Sequence, residues 1–595
     1  MPPTSSFGWR GEAPTPLFDD SGVISRSPEV GTRASSSPDD DPDDGAALSD
    51  RPRWSSTSEF LLAAVGSAVG LGNLLRFPYV TYAHGGAAFL IPYGLAVACL
   101  GVPVLWMELM LGQVLQRGVV DGLACLHARA WGVGVAATLA AFLLASYYSA
   151  IMSWVWVFLA ASLADACPWA DGAAREFFFD DALGRRDDAD VASRGLGPAR
   201  WWLVLGLTLN WLCCYACIFA GARSAGKAIW ITMPLPYVLL FALAMKGASL
   251  PGSAEGVAFY FGRWEWSALG DGGAWVDAAA QIFFGLSVAC GAMPAYASNC
   301  PRSERCERNA VVIAIANAAT SVFAGFVVFA FLGHLARSER VPIADVAEGG
   351  WSLAFVAYPS AMALFEGPGA WQFFSVSFWL TLLCLGVDSA FALAEAVVCA
   401  LCDRHERCRR NRSLTALGVC VACWIAGLPM TTAGGYQVVD VMDAYVSRYA
   451  LVLAGLMECV FVGHGYGAER LRRESAALAG DDAEAAPSVF ARTFAPMIRW
   501  VVPTALFALL CHNLYQESRG AYGGYPAWLC AAFGWVPCAV LPLACAAYGA
   551  ARPMRDAGGR GGYRGERDEG GPGGVELGGM GERHAAEAGP GTGGT

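Results

Sequence analysis

Charged residues are scarce in this sequence. Asp, Glu, Lys and Arg make up 15% of its 595 residues, whereas hydrophobic residues make up 55%, and the mean hydropathy is +0.42. So little charge excludes a string of ordinary soluble domains, in which about a quarter of the residues are charged. The composition instead predicts a polytopic membrane protein with one large membrane domain.

Two further features are missing from the chain. No cleavable signal peptide is expected at its start. A disulfide framework is not expected either, although the sequence contains 20 cysteines. Most of them fall inside apolar runs, where Cys is commonly a small buried hydrophobe. The cysteines therefore give no sign of a small, disulfide-stabilised secreted fold.

Long apolar windows recur along most of the chain, each close to the roughly 20 residues that cross a hydrocarbon core. We predict twelve transmembrane helices, at residues 59–83, 88–115, 131–163, 201–221, 227–247, 275–299, 308–335, 371–402, 413–430, 434–463, 494–514 and 525–550. Residues 1–50 and 552–595 are rich in Gly, Ser, Pro and acidic residues and are expected to be disordered tails. The membrane domain is predicted to occupy residues 51–551.

Basic residues are concentrated in the short loops that would share one side of the membrane, including the cluster from Arg404 to Arg412. By the positive-inside rule, this side is the cytoplasm. Both termini are therefore predicted to be cytoplasmic, and the acidic loop at residues 165–200 to be extracellular.

The first predicted helix contains the stretch VGSAVGLGNLLRFP, residues 65–78. Gly66, Gly70 and Gly72 make it a poor continuous helix, because each glycine costs about 1 kcal/mol relative to alanine. A helix break within lipid survives only where protein, solute or ions occupy the freed backbone groups. The alternative is a glycine-lined face for helix packing, and this stretch alone leaves both interpretations open.

The sixth predicted helix has the same feature. Its sequence AAQIFFGLSVACGAMPAYAS, residues 279–298, carries Gly285, Gly291 and Pro294 inside an apolar run. Interruptions in the first and sixth helices indicate a repeat of five helices. Paired interruptions of this kind are typical of secondary transporters built from inverted repeats, in which they mark the binding site.

Seven stretches, in order along the chain, resemble the neurotransmitter:sodium symporter family, also called solute carrier family 6. They are GSAVGLGNLLRFPY, GGAAFLIPY, GVPVLWMELMLGQ, ASYYSAIMSW, QIFFGLS, ANAATSVFAGFVVFAFLG and LGVDSAFALAE. The resemblance covers residues 51–550. It implies an all-α integral membrane fold of twelve helices in a 5+5 inverted repeat, like that of the bacterial leucine transporter, with helices 1 and 6 interrupted. It also implies a location in the plasma membrane.

The resemblance implies two sodium sites. The first would use Ala68, Asn73, Gly285 and Asn317 together with the substrate carboxylate. The second would use Gly66, Val69, Leu385, Asp388 and Ser389. In the first site Gly285 stands where the family has Ser or Thr, so a hydroxyl ligand is missing and weaker binding, or completion by a water molecule, is expected.

Asp388 is the ionisable member of the second site. A carboxylate in an apolar run costs at least a few kcal/mol, so it requires a partner, and a cation is the natural one. A protonated or hydrogen-bonded aspartate is the alternative.

The resemblance also implies a chloride site at Tyr93, Gln281, Asn317 and Ser321. Gly285 removes the fifth ligand, and no acidic residue stands at position 321 to replace the anion. Chloride dependence is therefore expected, but weakened.

Substrate selection is expected to depend on Gly70, because family members that carry monoamines have an aspartate at this position, whereas amino-acid carriers keep glycine. The substrate carboxylate would meet the amides of Leu71 and Gly72, at a helix N-terminus, and the hydroxyl of Tyr148. Its amine would face Ala68, Phe284 and Ser287. The remaining wall would consist of Leu144, Phe284, Ser287, Cys290, Ala390 and Leu393, a mostly apolar surface suited to a neutral side chain.

Two gates are implied by the resemblance. Arg76 and Asp443, with Tyr148 and Phe284 as an aromatic lid, would close the outer side. Arg51, Trp54 and Asp403 would close the inner side, where an exposed ion pair worth about 0–1 kcal/mol can break and re-form. Ordinary surface charges at Arg51 and Asp403 are the alternative.

The function expected from the resemblance is sodium-coupled transport of a neutral amino acid by alternating access, with no enzymatic step. The expected ligands are one or two Na⁺ ions, with Cl⁻ as a further candidate, a small solute and the lipid bilayer; no nucleic-acid partner is expected. Two alternatives remain open. One is a carrier of another carboxylated solute, such as an osmolyte or gamma-aminobutyrate, and the other is a transport-defective sensor or channel that keeps the fold.

Overall fold

The computed structural model describes residues 53–553, except for 303, 347–348, 366, 479–487 and 521. This part of the chain is helical, with two isolated bridges and no β-strand, as predicted. It contains ten helices long and apolar enough to span a bilayer, and an eleventh span in two halves. The predicted tail at residues 1–50 and nearly all of the tail at 552–595 lie outside the described residues.

The membrane helices are labelled here in chain order. They are α1 (Thr57–Ala68), α2 (Gly72–Ala83), α3 (Ala87–Leu115), α4 (Trp131–Ala161), α5 (Trp201–Ile218), α6 (Ala222–Ser249), α7 (Gly272–Gly285), α8 (Ala292–Ala297), α9 (Cys306–Glu339), α10 (Ala370–Arg404), α11 (Arg412–Thr431), α12 (Gly435–Arg473), α13 (Val489–Gly524) and α14 (Ala527–Ala551). Shorter helices in the loops include Val119–Leu126, Asp188–Arg194, Ser253–Phe261 and Leu353–Ala363.

The order of the helices follows the twelve predicted windows. Helices α1 and α2 together fill the first window, and α7 and α8 occupy the sixth, although each of these two is too short to span a bilayer alone. Counted as one interrupted span, α7 and α8 bring the total to twelve. The largest difference in length is at α13, which spans Val489–Gly524 where 494–514 is predicted, and α12 likewise continues through the polar residues 464–473 beyond its predicted end. Apolar composition marks the bilayer and not the end of a helix.

Helices α4 and α10 form the centre of the molecule and pack along each other. Of their most apolar windows, 78% and 89% are buried, compared with 33% for α13 and α14 on the lipid side. Close packing is possible because small residues lie at the contact: a β-carbon on Gly386 would stand 2.1 Å from the sulfur of Met152. Polar groups on α4 and α10 are therefore held away from lipid.

The first predicted interruption is confirmed. Helices α1 and α2 meet at an angle of 48°, and Val69 has an extended backbone with φ −88° and ψ 102°. Side chains satisfy the freed amides: Gly70 N–H donates to Asn73 Oδ1 at 3.1 Å, and Leu71 N–H donates to Tyr148 Oη at 2.9 Å. The break is thus supported by protein groups rather than exposed to lipid.

The second predicted interruption is also confirmed. Between α7 and α8, the backbone is left-handed at Ser287 (φ 50°), Ala289 (φ 63°) and Gly291 (φ 73°). For the first two residues this conformation costs of the order of 1–3 kcal/mol each. Two hydrogen bonds hold it: Ala289 N–H donates to Glu108 Oε1 at 2.6 Å, and Ser287 Oγ donates to Ser67 O at 3.1 Å.

Candidate functional site

A cavity of about 320 Å³ lies where the two helix breaks meet α4 and α10. Its wall consists of Ser67, Ala68, Gly70, Leu71, Gly72, Asn73, Leu144, Tyr148, Phe284, Gly285, Ser287, Ser389 and Leu393. None of these side chains is charged. Any charge on a bound solute must therefore be met by backbone dipoles, by hydroxyl groups, by the amide of Asn73 or by ions.

Gly70 is the point of closest approach in this wall. A β-carbon on Gly70 would stand 2.8 Å from Tyr148 Oη and 2.9 Å from Ser389 Oγ, closer than real β-carbons come to other atoms. Any side chain at position 70, an aspartate included, would have to displace these hydroxyl groups. The α2 N-terminus next to Gly70 has the polarity that attracts an anion.

The proposed residues of the first sodium site form a linked set. Gly70 N–H donates to Asn73 Oδ1 at 3.1 Å, which turns the Asn73 Nδ2 group toward Asn317, where it donates to Oδ1 at 2.7 Å. The same terminal atom of the Asn317 amide lies 3.1 Å from Ala68 O and 3.2 Å from Gly285 O. If that atom were the amide nitrogen, it would oppose the nitrogen of Asn73.

With the oxygen of Asn317 in that position, three oxygens converge and no hydrogen lies between them. A hard cation resolves this arrangement, so the set fits Na⁺. Asn73 Oδ1 accepts the Gly70 amide at the helix break, and its part in the first sodium site stays a prediction. The Nδ2 group of Asn73 also orients the amide of Asn317, to whose Oδ1 it donates.

Asp388, in the second predicted sodium site, is an unpaired buried carboxylate. It is 1% exposed, and among the described residues neither of its oxygens accepts a hydrogen bond of normal geometry. The hydroxyl of Thr232 is close enough to interact with it but donates to Ala228 O at 3.2 Å. A β-carbon on Gly66 would stand 3.2 Å from Asp388 Oδ2, so α1 passes close to the carboxylate.

Ser389 and Leu385 are neighbours on α10, and Ser389 Oγ donates to Leu385 O at 3.2 Å. An orphaned carboxylate beside the broken end of α1 is the environment in which a cation would be stable. The second set of residues therefore also fits Na⁺.

The residues of the predicted chloride site lie near one another behind the first sodium site. Tyr93 Oη donates to Ser321 Oγ at 3.5 Å, and Asn73 Nδ2 donates to the same oxygen at 2.8 Å. Gln281 Nε2 donates to Gly72 O at 3.4 Å. The hydroxyl and amide donors that would face an anion are thus present, whereas Gly285 contributes no hydroxyl.

The predicted outer gate differs from the expectation in its partners. Among the described residues no ion pair within 4.0 Å joins Arg76 to Asp443; Asp443 Oδ1 instead accepts the hydroxyl of Tyr147 at 2.9 Å. The guanidinium of Arg76 lies 5.6 Å from the centre of the Phe284 ring. Tyr147, one residue before the cavity-lining Tyr148, thus links α4 to the Asp443 carboxylate of α12.

A second polar contact near the predicted outer gate joins the end of α2 to α7. His84, at the end of α2, lies 2.7 Å from Asp277 Oδ2 of α7 through Nε2, and 4.0 Å from Asp271 Oδ2 through Nδ1. The hydrogen bond to Asp277 raises the pKa of His84, and partial burial opposes this effect. This pair is not predictable from the sequence, because nothing in the local sequence brings the two segments together.

At the predicted inner gate, Arg51 lies outside the described residues. Asp403 Oδ2 accepts the amide of Gly118 at 2.6 Å. Trp54 is buried; its Nε1 donates to Tyr296 O at 3.0 Å, and its ring contacts the Tyr296 ring edge-on at 5.4 Å. Trp54 therefore attaches the start of α1 to α8, a contact with Tyr296 that sequence reasoning missed.

Two residues predicted for the substrate wall lie elsewhere. Cys290 is turned away from the cavity, and its thiol donates to Ser287 O at 2.8 Å. Ala390 is fully buried in the helix packing. The cavity wall also includes four residues that were not predicted for the substrate wall: Ser67, Asn73, Gly285 and Ser389. The backbone just before Cys290 is left-handed at Ser287 and Ala289, and with it the thiol points to Ser287 O and not into the cavity.

An all-helical membrane protein with two adjoining helix breaks around one central cavity has the architecture of an inverted-repeat secondary transporter. The family model for the sodium:neurotransmitter symporter family matches residues 51–193 and 171–554, so the chain belongs to this family. Among solved structures, the crystal structure of MhsT in complex with L-phenylalanine is similar, with a TM-score of 0.63 and 26% sequence identity. The match covers 78% of this chain and 99% of that chain.

Proposed function

We propose that this protein is a sodium-coupled symporter of a neutral amino acid that works by alternating access. The observation that carries the proposal is the uncharged cavity bordered by two sets of oxygens that fit Na⁺, at Asn317 and at Asp388. An α-amino acid fits these surroundings. Its carboxylate would complete the first sodium site beside Gly70, and its side chain would lie between Leu144 and Leu393.

The bound L-phenylalanine of MhsT supports an amino-acid substrate, because that transporter is similar over nearly its whole length. The absence of any charged residue from the cavity wall favours a neutral side chain. The sodium sites supply the driving force: each charge that moves down 100 mV contributes about 2.3 kcal/mol. Chloride would assist weakly, because Gly285 lacks the hydroxyl ligand. The proposed location is the plasma membrane, with both termini cytoplasmic.

The proposal is tested by uptake of radiolabelled amino acids into proteoliposomes. The external solution contains sodium chloride, then choline chloride, then a sodium salt without chloride. Concentrative uptake of neutral amino acids that disappears in choline and falls partly without chloride is the expected result. As a control, neither acidic nor basic amino acids should accumulate.

Uptake of an osmolyte or of gamma-aminobutyrate, without any α-amino acid, would support the other carboxylated solutes instead. Sodium-dependent current without accumulation of any solute would overturn the symporter and favour a channel. Gly285 is the residue that favours this second outcome, since it weakens the first sodium site.

A further inference from the structure

A second cavity, of about 280 Å³, lies on the side of the α7–α8 break that is predicted to face the cytoplasm. Its wall consists of Glu108, Leu111, Gly112, Arg117, Gly118, Val119, Gly122, Leu123, Pro294 and Glu458. It shares no residue with the substrate cavity. The proposed symport mechanism uses neither of its carboxyl groups.

The two carboxyl groups come from different helices and meet inside the protein. Glu108 of α3 is 1% exposed and Glu458 of α12 is 2% exposed, and they are close enough to hydrogen-bond to each other. Glu108 Oε1 accepts the Ala289 amide at 2.6 Å. Among the described residues, Glu108 Oε2 and Glu458 Oε1 have no other donor.

Two adjacent buried carboxylates cannot both be ionised at low cost, because each opposes the charge of the other and burial penalises both. The one basic residue that lines the same cavity is Arg117, and in the described part of the chain it forms no ion pair within 4.0 Å with either group. The remaining neighbours are the thiols of Cys290 and Cys459. A single proton between the carboxyl groups would satisfy both unpartnered oxygens and remove one charge.

We propose that Glu108 and Glu458 form a proton-binding site that holds one shared proton and exchanges it with the cytoplasm through this cavity. The carboxyl O–H of one residue donates to the carboxylate of the other, and the remaining negative charge accepts the Ala289 amide. Ala289 is two residues from Ser287 in the substrate cavity. Loss of the proton at high cytoplasmic pH would place two repelling charges against the α7–α8 break and slow the transport cycle.

The direct test is infrared spectroscopy of the purified full-length protein in lipid, with and without Glu458→Gln. The wild-type protein should show a protonated carboxylic-acid band that shifts in D₂O, and the variant should lack it. In the variant the introduced side-chain amide donates to Glu108 in place of the shared proton, so the fold is expected to be retained. Glu108→Gln provides the reciprocal variant.

Glu517→Gln is the matched control, because Glu517 is a carboxylate near the opposite end of the membrane helices that accepts a neutral donor, the hydroxyl of Tyr445. It should leave the band unchanged. The proposal would be overturned if the protonated carboxylic-acid band of the wild type remained in the spectra of both Glu458→Gln and Glu108→Gln. A band that is displaced by internal Na⁺ or K⁺ at constant pH would instead identify the site as one for a monovalent cation.

Uptake provides a second readout, which rests on the proposed transport function. Initial rates in wild-type proteoliposomes should fall as the internal pH is raised at constant external pH, whereas Glu458→Gln should show no such dependence. Absence of uptake in both proteins would count against the symporter and leave the infrared result to decide the proton site. A pH dependence that persists unchanged in Glu458→Gln would overturn the link to transport.

Discussion

Gly70 and Tyr148 approach each other so closely that a β-carbon on Gly70 would stand 2.8 Å from the Tyr148 hydroxyl oxygen. The same hydroxyl accepts the Leu71 amide at 2.9 Å. The break between α1 and α2 is therefore held against α4 at the point where a substrate carboxylate would bind. Because of this contact, the size of the side chain at position 70 is expected to affect substrate binding.

Gly70→Ala is expected to lower the initial rate of sodium-driven uptake at least about tenfold, which corresponds to about 1.4 kcal/mol. The added methyl group must displace the hydroxyl of Tyr148 or Ser389. Radiolabelled uptake in proteoliposomes measures the effect. Gly94→Ala is the matched control, because a β-carbon there meets no atom within 4 Å. Equal uptake by the two variants would show that residue 70 does not border the substrate.

Asp388→Asn is expected to remove most of the stabilisation that Na⁺ gives to the folded protein. A ligand present at 100 times its dissociation constant stabilises by about 2.7 kcal/mol, and the neutral amide removes the charge that attracts the cation. The measurement is the Tm in detergent as NaCl replaces choline chloride. Asp345→Asn, at an exposed position of the short helix Ile343–Val346, should respond to Na⁺ as the wild type does. A full Na⁺ response in Asp388→Asn would exclude Asp388 as a ligand.

The helix interruptions could be predicted from the sequence because their cause is local. Gly66, Gly70 and Gly72 weaken one helix, and Gly285, Gly291 and Pro294 weaken another, whatever surrounds them. The family resemblance then supplied the register that brought Asn317 and Asp388 to the same region. These parts of the structure depend on residues near one another in the chain or on a recognised pattern.

Other contacts depend on how helices rotate against each other, which the sequence does not reveal. Asp443 accepts the Tyr147 hydroxyl and, in the described part of the chain, forms no ion pair within 4.0 Å with Arg76, and the rotation of α4 against α12 is what brings this hydroxyl to the carboxylate. The resemblance places Cys290 in the substrate wall, but its thiol donates to Ser287 O after two left-handed residues, Ser287 and Ala289. Tertiary packing, not composition, determines these details.

Gly285→Ser tests what the missing hydroxyl does. A β-carbon on Gly285 would stand 3.3 Å from Asn317 Nδ2, a tight contact that a small shift of the amide relieves. The serine oxygen would add a ligand beside the Gly285 carbonyl, so we expect a lower sodium concentration for half-maximal uptake and a larger loss of uptake when chloride is removed.

The sodium and chloride dependence of uptake also distinguishes a steric effect of the new β-carbon from ion binding by the serine hydroxyl. Gly285→Ala has the same β-carbon without the hydroxyl and should show no gain in either ion dependence. If Ser and Ala change the sodium dependence equally, then the hydroxyl does not bind an ion, and the first sodium site is complete without it.

The contact between His84 and Asp277 predicts a pH-dependent attachment of α2 to α7. Hydrogen bonding to Asp277 raises the pKa of His84 in the folded protein. The contribution to stability is therefore fully present below the ordinary His value of about 6.5 and is lost as the pH rises through the raised pKa. The Tm of the wild type should accordingly fall, relative to that of His84→Gln, as the solution is taken from mildly acidic to mildly alkaline.

A glutamine at this position can still donate to Asp277 but carries no charge at any pH, so the comparison isolates the ionised pair from the hydrogen bond. His512→Gln is the control, because His512 faces Gln516 rather than a carboxylate. A difference in Tm between wild type and His84→Gln that stays constant across the pH range would contradict the prediction. In that case the two helices would be attached by the hydrogen bond alone, and protonation of His84 would not contribute.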